Sequence, residues 1–359
     1  MQPTRLGQER SVVTPAARGY RMPAEWHRHE STWLAWPKDP ETWPNRVPQV
    51  QALFLRMIEV LTQHEHVDLL VDDQETEAQI KAACRWPQAH NLRIHRIPTV
   101  DAWIRDYGPN FLLGPDGQLA FNHWSFNAWG DKYPPLRADA RVPDALFPIL
   151  GAERFTPGMI LEGGAIDVNG TRVVMTTEQC LLNQNRNPHL DRAAIEHHLR
   201  EFLGVEQVLW LGEGLIGDDT DGHVDDVARF VSADTIVCVN EEDSGDANYA
   251  LLADNLRRLE LARDPAGHPY RIVTLPMPGV IGGASGDRLP ASYANFYIAN
   301  GVVLLPVFGH ATNDKRAAGT LQALFADRRV VSIPCEPLVW GLGAIHCVTQ
   351  QQPAAGVTA

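Results

Sequence analysis

The chain repeats a pattern without repeating its residues. Two short apolar strands around a turn, a helical stretch and a further apolar strand recur at intervals of about 60 residues, the scale of a stacked or closed array of like units. Hairpin signals stand at 111–113/119–121 around Gly114-Pro115-Asp116-Gly117, and at 166–168/173–175 beside Asn169-Gly170. Two more stand at 228–231/236–239 around Ala233-Asp234, and at 296–298/302–305 around Asn300-Gly301. Asn-Gly is the strongest of these signals, because both residues tolerate the left-handed backbone of a tight hairpin. Helical spacing follows the last three hairpins near 189–203, 246–262 and 313–326. Each helix leads to an apolar strand, at 208–211, 272–275 or 330–333.

Ahead of the first hairpin the spacing predicts a helix over 48–63, a strand over 67–71, a helix over 74–84 and a strand over 92–97. This alternation marks an α/β protein, and the N-terminal part is expected to add one or two less regular copies of the unit. Units closed in a ring leave a central hole at the strand ends, where each unit can contribute one or two groups to a small-molecule site. Residues 1–20 carry no periodicity and are expected to form a flexible N-terminal arm. The Gly- and Pro-rich run 276–290 reads as a long loop, equally a lid or a plain connection.

The formal net charge of −13 excludes nucleic acid as a default partner. It suits a cationic ligand, and it equally serves solubility. Five cysteines with no C-x-x-C pair argue against a disulfide framework and a zinc knuckle and for reduced thiols in the cytoplasm. No apolar run approaches about 18 residues, so no membrane span is expected.

Four short stretches carry candidate chemistry. Gly341-Leu342-Gly343-Ala344-Ile345-His346-Cys347 sets a cysteine just after a glycine-spaced turn, where a thiolate nucleophile can stand; an inert buried cysteine also fits. If residues 345–349 are extended, Cys347 faces away from His346, and its base must come from elsewhere. In Asp221-Gly222-His223-Val224-Asp225, a strand beginning at Val224 puts His223 and Asp225 on one face, an acid/base beside a cation-holding carboxylate; a solvated acidic loop also fits. Glu162-Gly163-Gly164 can hold a carboxylate close to a ligand, or be a plain turn. In Trp103-Ile104-Arg105-Asp106, Asp106 can grip a cation on which Trp103 stacks, or form a surface ion pair beside a core Trp. Three converging acids near a thiol suit a guanidinium, which meets carboxylates bidentately.

With these residues in view, the chain resembles the agmatine deiminase family of guanidino-group-modifying enzymes, whose close relatives are the bacterial peptidyl-arginine deiminases. The resemblance runs from Met22-Pro-Ala-Glu-Trp26 to Gln350-Gln-Gln-Pro353. It includes Trp103–Pro109, Asn127-Ala-Trp-Gly130, Glu162–Gly164, Asn183–Pro188, Thr220–Asp225, Ala291–Gly301 and Ile345–Gln352. Leu342 and Ala344 stand where the family pattern has glycine and asparagine.

The resemblance implies a five-bladed α/β propeller of pseudo-fivefold symmetry, the pentein fold, as a single catalytic domain over 21–354. It implies no cofactor and no metal, and it allows a homo-oligomer. By position it assigns Cys347 as nucleophile, His223 as acid/base, Glu162 as its carboxylate partner, Asp106 and Asp225 as guanidinium ligands, and Trp103 as a wall of the substrate site. The reaction so implied is hydrolysis of agmatine to N-carbamoylputrescine and ammonia through a covalent amidino-cysteine, a step toward putrescine and the polyamines. Deimination of peptidyl-arginine or free arginine is the alternative. A non-catalytic polyamine-binding protein is the reading from another class, and it needs neither Cys347 nor His223.

Overall fold

The computed structural model describes residues 13–283 and 286–356. Among them five sheets form, one for each unit of the repeat. In four, an antiparallel hairpin is extended by one parallel strand. These are Asn110–Leu113, Leu119–Asn122 and Glu153–Phe155; Asp167–Val168, Val173–Thr177 and Gln207–Leu211; Ala228–Ser232, Thr235–Asn240 and Arg271–Pro276; and Tyr297–Ala299, Val302–Val307 and Arg329–Pro334.

The fifth sheet closes the ring. The last strand, Gln350–Pro353, pairs antiparallel with the first, His29–Ala35. His66–Val71 and Leu92–Arg96 then follow in parallel. The expected five-bladed propeller is therefore completed by the chain's own end, and the region before residue 97 supplies one less regular copy of the unit, the lower of the two numbers expected.

The expected helices form at Val47–Leu61, Gln74–Ala83, Arg192–Leu203, Tyr249–Leu261 and Ala311–Leu324. Val50, Leu53, Phe54, Met57, Ile58 and Leu61 form the buried stripe of the first. Asp191 caps Arg192–Leu203 through the Ala194 N–H at 2.9 Å, and Gly204 ends it in the left-handed region. Tyr249–Leu261 and Ala311–Leu324 each lie against their own sheet and the outer strand of the sheet before it, so apolar faces seal the joints between units. Within the run 276–290, residues 284 and 285 lie outside the described ones, and Gly282 and Arg288 form an isolated antiparallel bridge.

Of the arm expected over 1–20, residues 1–12 lie outside the described residues. Residues 14–20 are anchored. Thr14 donates to Glu201 at 2.5 Å, Ala16–Arg18 forms a helical turn, and the buried Tyr20 ring meets Phe155 edge-on at 5.7 Å.

The inner strands meet around a buried charge cluster. Glu25 takes an ion pair from Arg229 at 2.9 Å, the Ile298 N–H at 2.7 Å and His346 Nε2 at 2.7 Å. Arg229 also binds Asp167 and donates to the Phe296 carbonyl at 2.7 Å. Arg105 reaches Gln351 at 2.7 Å. Burial alone would raise the Glu25 carboxyl, but Arg229, His346 and Arg105 outweigh it and hold it well below its usual range. Removing one partner of such a cluster strands the others without water. Arg229→Met should lower the unfolding free energy in urea by about 3–5 kcal/mol; a loss under about 1 kcal/mol would show that the cluster does not hold the units together.

Candidate active site

Each unit sends one short turn to the same end of the ring, just before its inner strand. Asp106 lies on the helical turn Ile104–Tyr107, ahead of Asn110–Leu113. Glu162 opens the turn Gly163–Ala165, ahead of Asp167–Val168. His223 precedes, and Asp225 lies in, the turn Val224–Asp226. Asn295 precedes Tyr297–Ala299, and Cys347 lies in the turn His346–Val348, ahead of Gln350–Pro353.

Two local expectations are corrected here. Residues 224–226 and 346–348 are tight 3-10 turns, not extended strand. A turn rotates successive side chains by about 120° rather than 180°. His346 is therefore not aimed directly away from Cys347, and the two side chains share Asp225: His346 Nδ1 lies 2.7 Å and Cys347 Sγ 3.8 Å from its Oδ2.

The site residues converge around Gly164. A Cβ there would stand 2.5 Å from His223 Nδ1, 3.0 Å from Asp106 Oδ1 and 3.1 Å from Asp225 Oδ2. Only glycine fits so close an approach. The Gly164 N–H donates to Asp106 Oδ1 at 2.9 Å, and His223 Nδ1 lies 3.9 Å from that oxygen. Glu162, His223 and Cys180 bring one polar atom each within 4.8 Å of one another, and Glu162 Oε2 and His223 Nε2 have no hydrogen-bond partner of their own. Arg186 Nε holds Glu162 Oε1 at 2.7 Å. Asp225, Asp226 and Cys347 form a second such triplet. Both triplets carry metal-ligand atom types, but the Arg186 guanidinium opposes a dication at the first.

The electrostatics follow from burial and the crowd of acids. Burial would lower the His223 imidazole, but Asp106, Cys180 and Asp225 override it, and His223 is held well above its ordinary range. Burial, then Asp225 and Glu162 against the opposing pull of His223, leaves Asp106 raised. Burial followed by the charges of Asp225 and Asp218 drives Asp226 well up. Asp225 is lowered: burial resists ionisation, but His346, His223 and Arg229 prevail. The Cys347 thiol is pushed well up by burial and then by Asp225, Asp226 and Asp106.

Above these groups opens a cavity of about 500 Å³. Cys347, Asp106 and Trp103 line it, while His223, Glu162 and Asp225 lie behind them. The Trp103 indole donates to Asp101 Oδ2 at 3.0 Å. Its ring lies against Gly341 and Gly343, where a Cβ would stand 2.8 and 2.5 Å from it. Between these glycines Leu342 also lines the cavity, with φ at 69° in the left-handed region that L side chains avoid.

Sequence reasoning gave no role to Trp129, Asn295, Arg186 or Asp226, although the first three stand in the motifs quoted. Trp129 Nε1 donates to Asp106 Oδ2 at 2.9 Å from the cavity wall. It is carried on four successive left-handed residues, 128–131, only one of which is glycine, so composition gave no warning of the turn.

Three comparisons place this geometry among known proteins. A model of the Porphyromonas-type peptidyl-arginine deiminase family matches residues 21–353. An agmatine deiminase of Ectopseudomonas mendocina is 39% identical over 365 residues, covering 96% of this chain and 98% of that one. An agmatine deiminase of Pseudomonas aeruginosa (strain LESB58) is 38% identical over 363 residues, covering 95% and 97%. The solved structure of the Enterococcus faecalis agmatine deiminase superposes with a TM-score of 0.90 at 32% identity, covering 98% of this chain and all of that one.

Two outcomes are expected. Alkylation of Cys347 by iodoacetamide should be slow at pH 7 and still rising above pH 9, because the raised thiol leaves little thiolate at neutrality; a plateau below pH 8 would contradict this. Leu342→Gly should be more stable than Leu342→Ala by about 1 kcal/mol, since only glycine relieves the left-handed strain. A thermal melt showing the alanine variant equal or better would remove that strain from the account.

Proposed function

The chain belongs to the Porphyromonas-type peptidyl-arginine deiminase family, and from that premise we propose that it is an agmatine deiminase, a hydrolase of the C–N bonds of linear amidines, acting as one catalytic unit over residues 21–354. The observation that carries this is the gathering of one thiol, one imidazole and several acids at one end of the ring, with Cys347 and Asp106 open to one cavity and His223, Glu162 and Asp225 behind them.

The guanidinium lies between Asp106 and Asp225 against Trp103, its flat face toward the sulfur. Its positive charge opposes the field that burial and the acids impose on Cys347, so substrate binding lets the thiol proton pass to solvent through the cavity. The thiolate bonds to the guanidinium carbon. His223, protonated beside Asp106, gives its proton to a terminal nitrogen; that C–N bond breaks and ammonia leaves. An S-alkylthiouronium remains on Cys347. His223, now neutral with the Glu162 carboxylate nearby, takes a proton from water as the water adds to the same carbon. The hydroxyl proton of this adduct passes to the sulfur as the C–S bond breaks, and N-carbamoylputrescine leaves with the Cys347 thiol restored.

Agmatine suits the outer cavity as well. Asp39, Glu41, Asp101 and Asp219 line it, and Lys132 already donates to Asp221 at 2.7 Å. A distal ammonium gains there what the carboxylate of arginine would lose. Deimination of arginine residues in peptides is the second reading, supported by the description of the matched family.

An ammonia-release assay tests these readings together. The ratio kcat/KM should be highest for agmatine, above free arginine and a peptide ending in arginine. Mass spectrometry after a quench should find Cys347 heavier by one agmatine less one ammonia. Cys347→Ser should lose about 10³-fold or more of kcat; near-normal turnover by that variant excludes the covalent route.

A further inference from the structure

Four of the five units bring a charged or nucleophilic group to the site, and the remaining one brings Asn295. This residue is fully buried and uses its whole hydrogen-bonding capacity. Its Oδ1 accepts the His346 N–H at 2.9 Å and the Cys347 N–H at 3.4 Å, and the Cys347 thiol lies 3.5 Å from the same oxygen. Those two donors fix which way the amide faces. Its Nδ2 then points at Asp226 Oδ1, 2.9 Å away, and at Cys347 Sγ, 3.2 Å away. Ser292 braces the same corner, donating to the Asp226 carbonyl at 2.6 Å.

We propose that Asn295 is a catalytic residue: its amide N–H donates to the sulfur of Cys347 and stabilises the thiolate, both before attack and when the intermediate releases it. The inference rests on the reading of Cys347 as nucleophile and adds the group that makes the sulfur a competent one.

The need for such a donor is visible in what faces the sulfur. Asp225 and Asp226 come from one neighbouring turn and Asp106 from another. His223 faces Asp106 and Asp225, and His346 is taken by Asp225 and Glu25. The N–H of Asn295 is the hydrogen bond donated to Sγ from a side chain among the described residues. A hydrogen bond made to a charged form favours that form, and a donor already in place needs no reorganisation during the reaction. The same amide holds the turn 346–348 by its oxygen, so donor and sulfur are set by one rigid group.

The test separates the donor from the brace. Asn295→Asp keeps an oxygen for the two backbone N–H groups and removes the donor; Asn295→Ala removes both. The readout is the pH dependence of iodoacetamide alkylation at Cys347, followed on its own peptide, beside kcat for agmatine. For both variants the alkylation profile should move about one unit or more toward higher pH, and kcat should fall about 100-fold with a smaller change in KM. If Asn295→Ala does not fold, Asn295→Leu, uncharged and of the same branched shape, decides, because the carboxylate of Asn295→Asp adds a charge that moves the profile by itself. An alkylation profile superimposed on that of the unaltered protein overturns the proposal, and kcat retained by Asn295→Asp shows Asn295 to be only a brace. Alkylation does not depend on turnover. A shifted profile in a protein that releases no ammonia from agmatine would therefore sink the substrate reading and leave this one standing.

Discussion

The Glu25 carboxylate is the point on which fold and site both turn. It lies buried where the inner strands come together, and its partners come from different units: Arg229, the Ile298 N–H and His346, with Arg105 at 3.5 Å. A buried anion is tolerated only when paired and hydrogen-bonded, so the charge has a counterpart from every side. The cluster does not end there. His346 carries it onward, with one ring nitrogen on Glu25 and the other on Asp225. The carboxylate proposed to hold a guanidinium is thereby oriented by the group that joins the units.

That link explains why so many acids can be gathered beside a thiol. Left to themselves, Asp106, Asp225 and Asp226 would repel, and two of them are in fact raised toward the neutral form. Asp225 alone is kept low, because His346 and Arg229 stand behind it. The site is therefore short of positive charge on the cavity side only. A planar cation entering there removes the repulsion, lowers the thiol and frees Asp106 to ionise in one event. In the proposed reaction the substrate is the missing counter-charge, and a neutral isostere could not replace it.

Much of this was legible in the sequence, for physical reasons that also mark the limit. Amphipathic helices such as Val47–Leu61 and hairpins such as the one at Asn300-Gly301 declare themselves through local periodicity and turn chemistry. The acids, His223 and Cys347 declare themselves through charge and nucleophilicity. The closing sheet did not, because the pairing of Gln350–Pro353 with His29–Ala35 joins opposite ends of the chain. Nor did the turns at 224–226 and 346–348. Apolar residues on both sides of them read as strand, and what bends them is tertiary: the Asp218 carboxylate accepting the Gly222 and His223 N–H groups in one case, and Asn295 accepting those of 346 and 347 in the other. Asn295 and Trp129 carry no charge and mark no period, so their part in the site shows only once distances are known.

The placement of one turn per unit also bears on selectivity. In the proposed reaction the inner groups, held on separate units, would meet the guanidinium alike in agmatine, arginine and a peptide. Discrimination must come from the outer wall, where the three substrates differ. There Leu342 lines the cavity from a strained backbone, and Trp103 is pinned between Asp101 and the glycines of 341 and 343. Asp101, pushed up to about 7 chiefly by burial, carries part of its charge near neutral pH. An unbranched chain ending in an ammonium passes an apolar wall and meets acids. A chain ending in a carboxylate would meet like charge there, and one ending in an amide would lack the ammonium those acids can pair. Backbone strain is the kind of cost that persists where a contact depends on it; the cavity wall carries it at Leu342 and at Trp129, and in the proposed reaction that wall is where the choice among guanidines would be made.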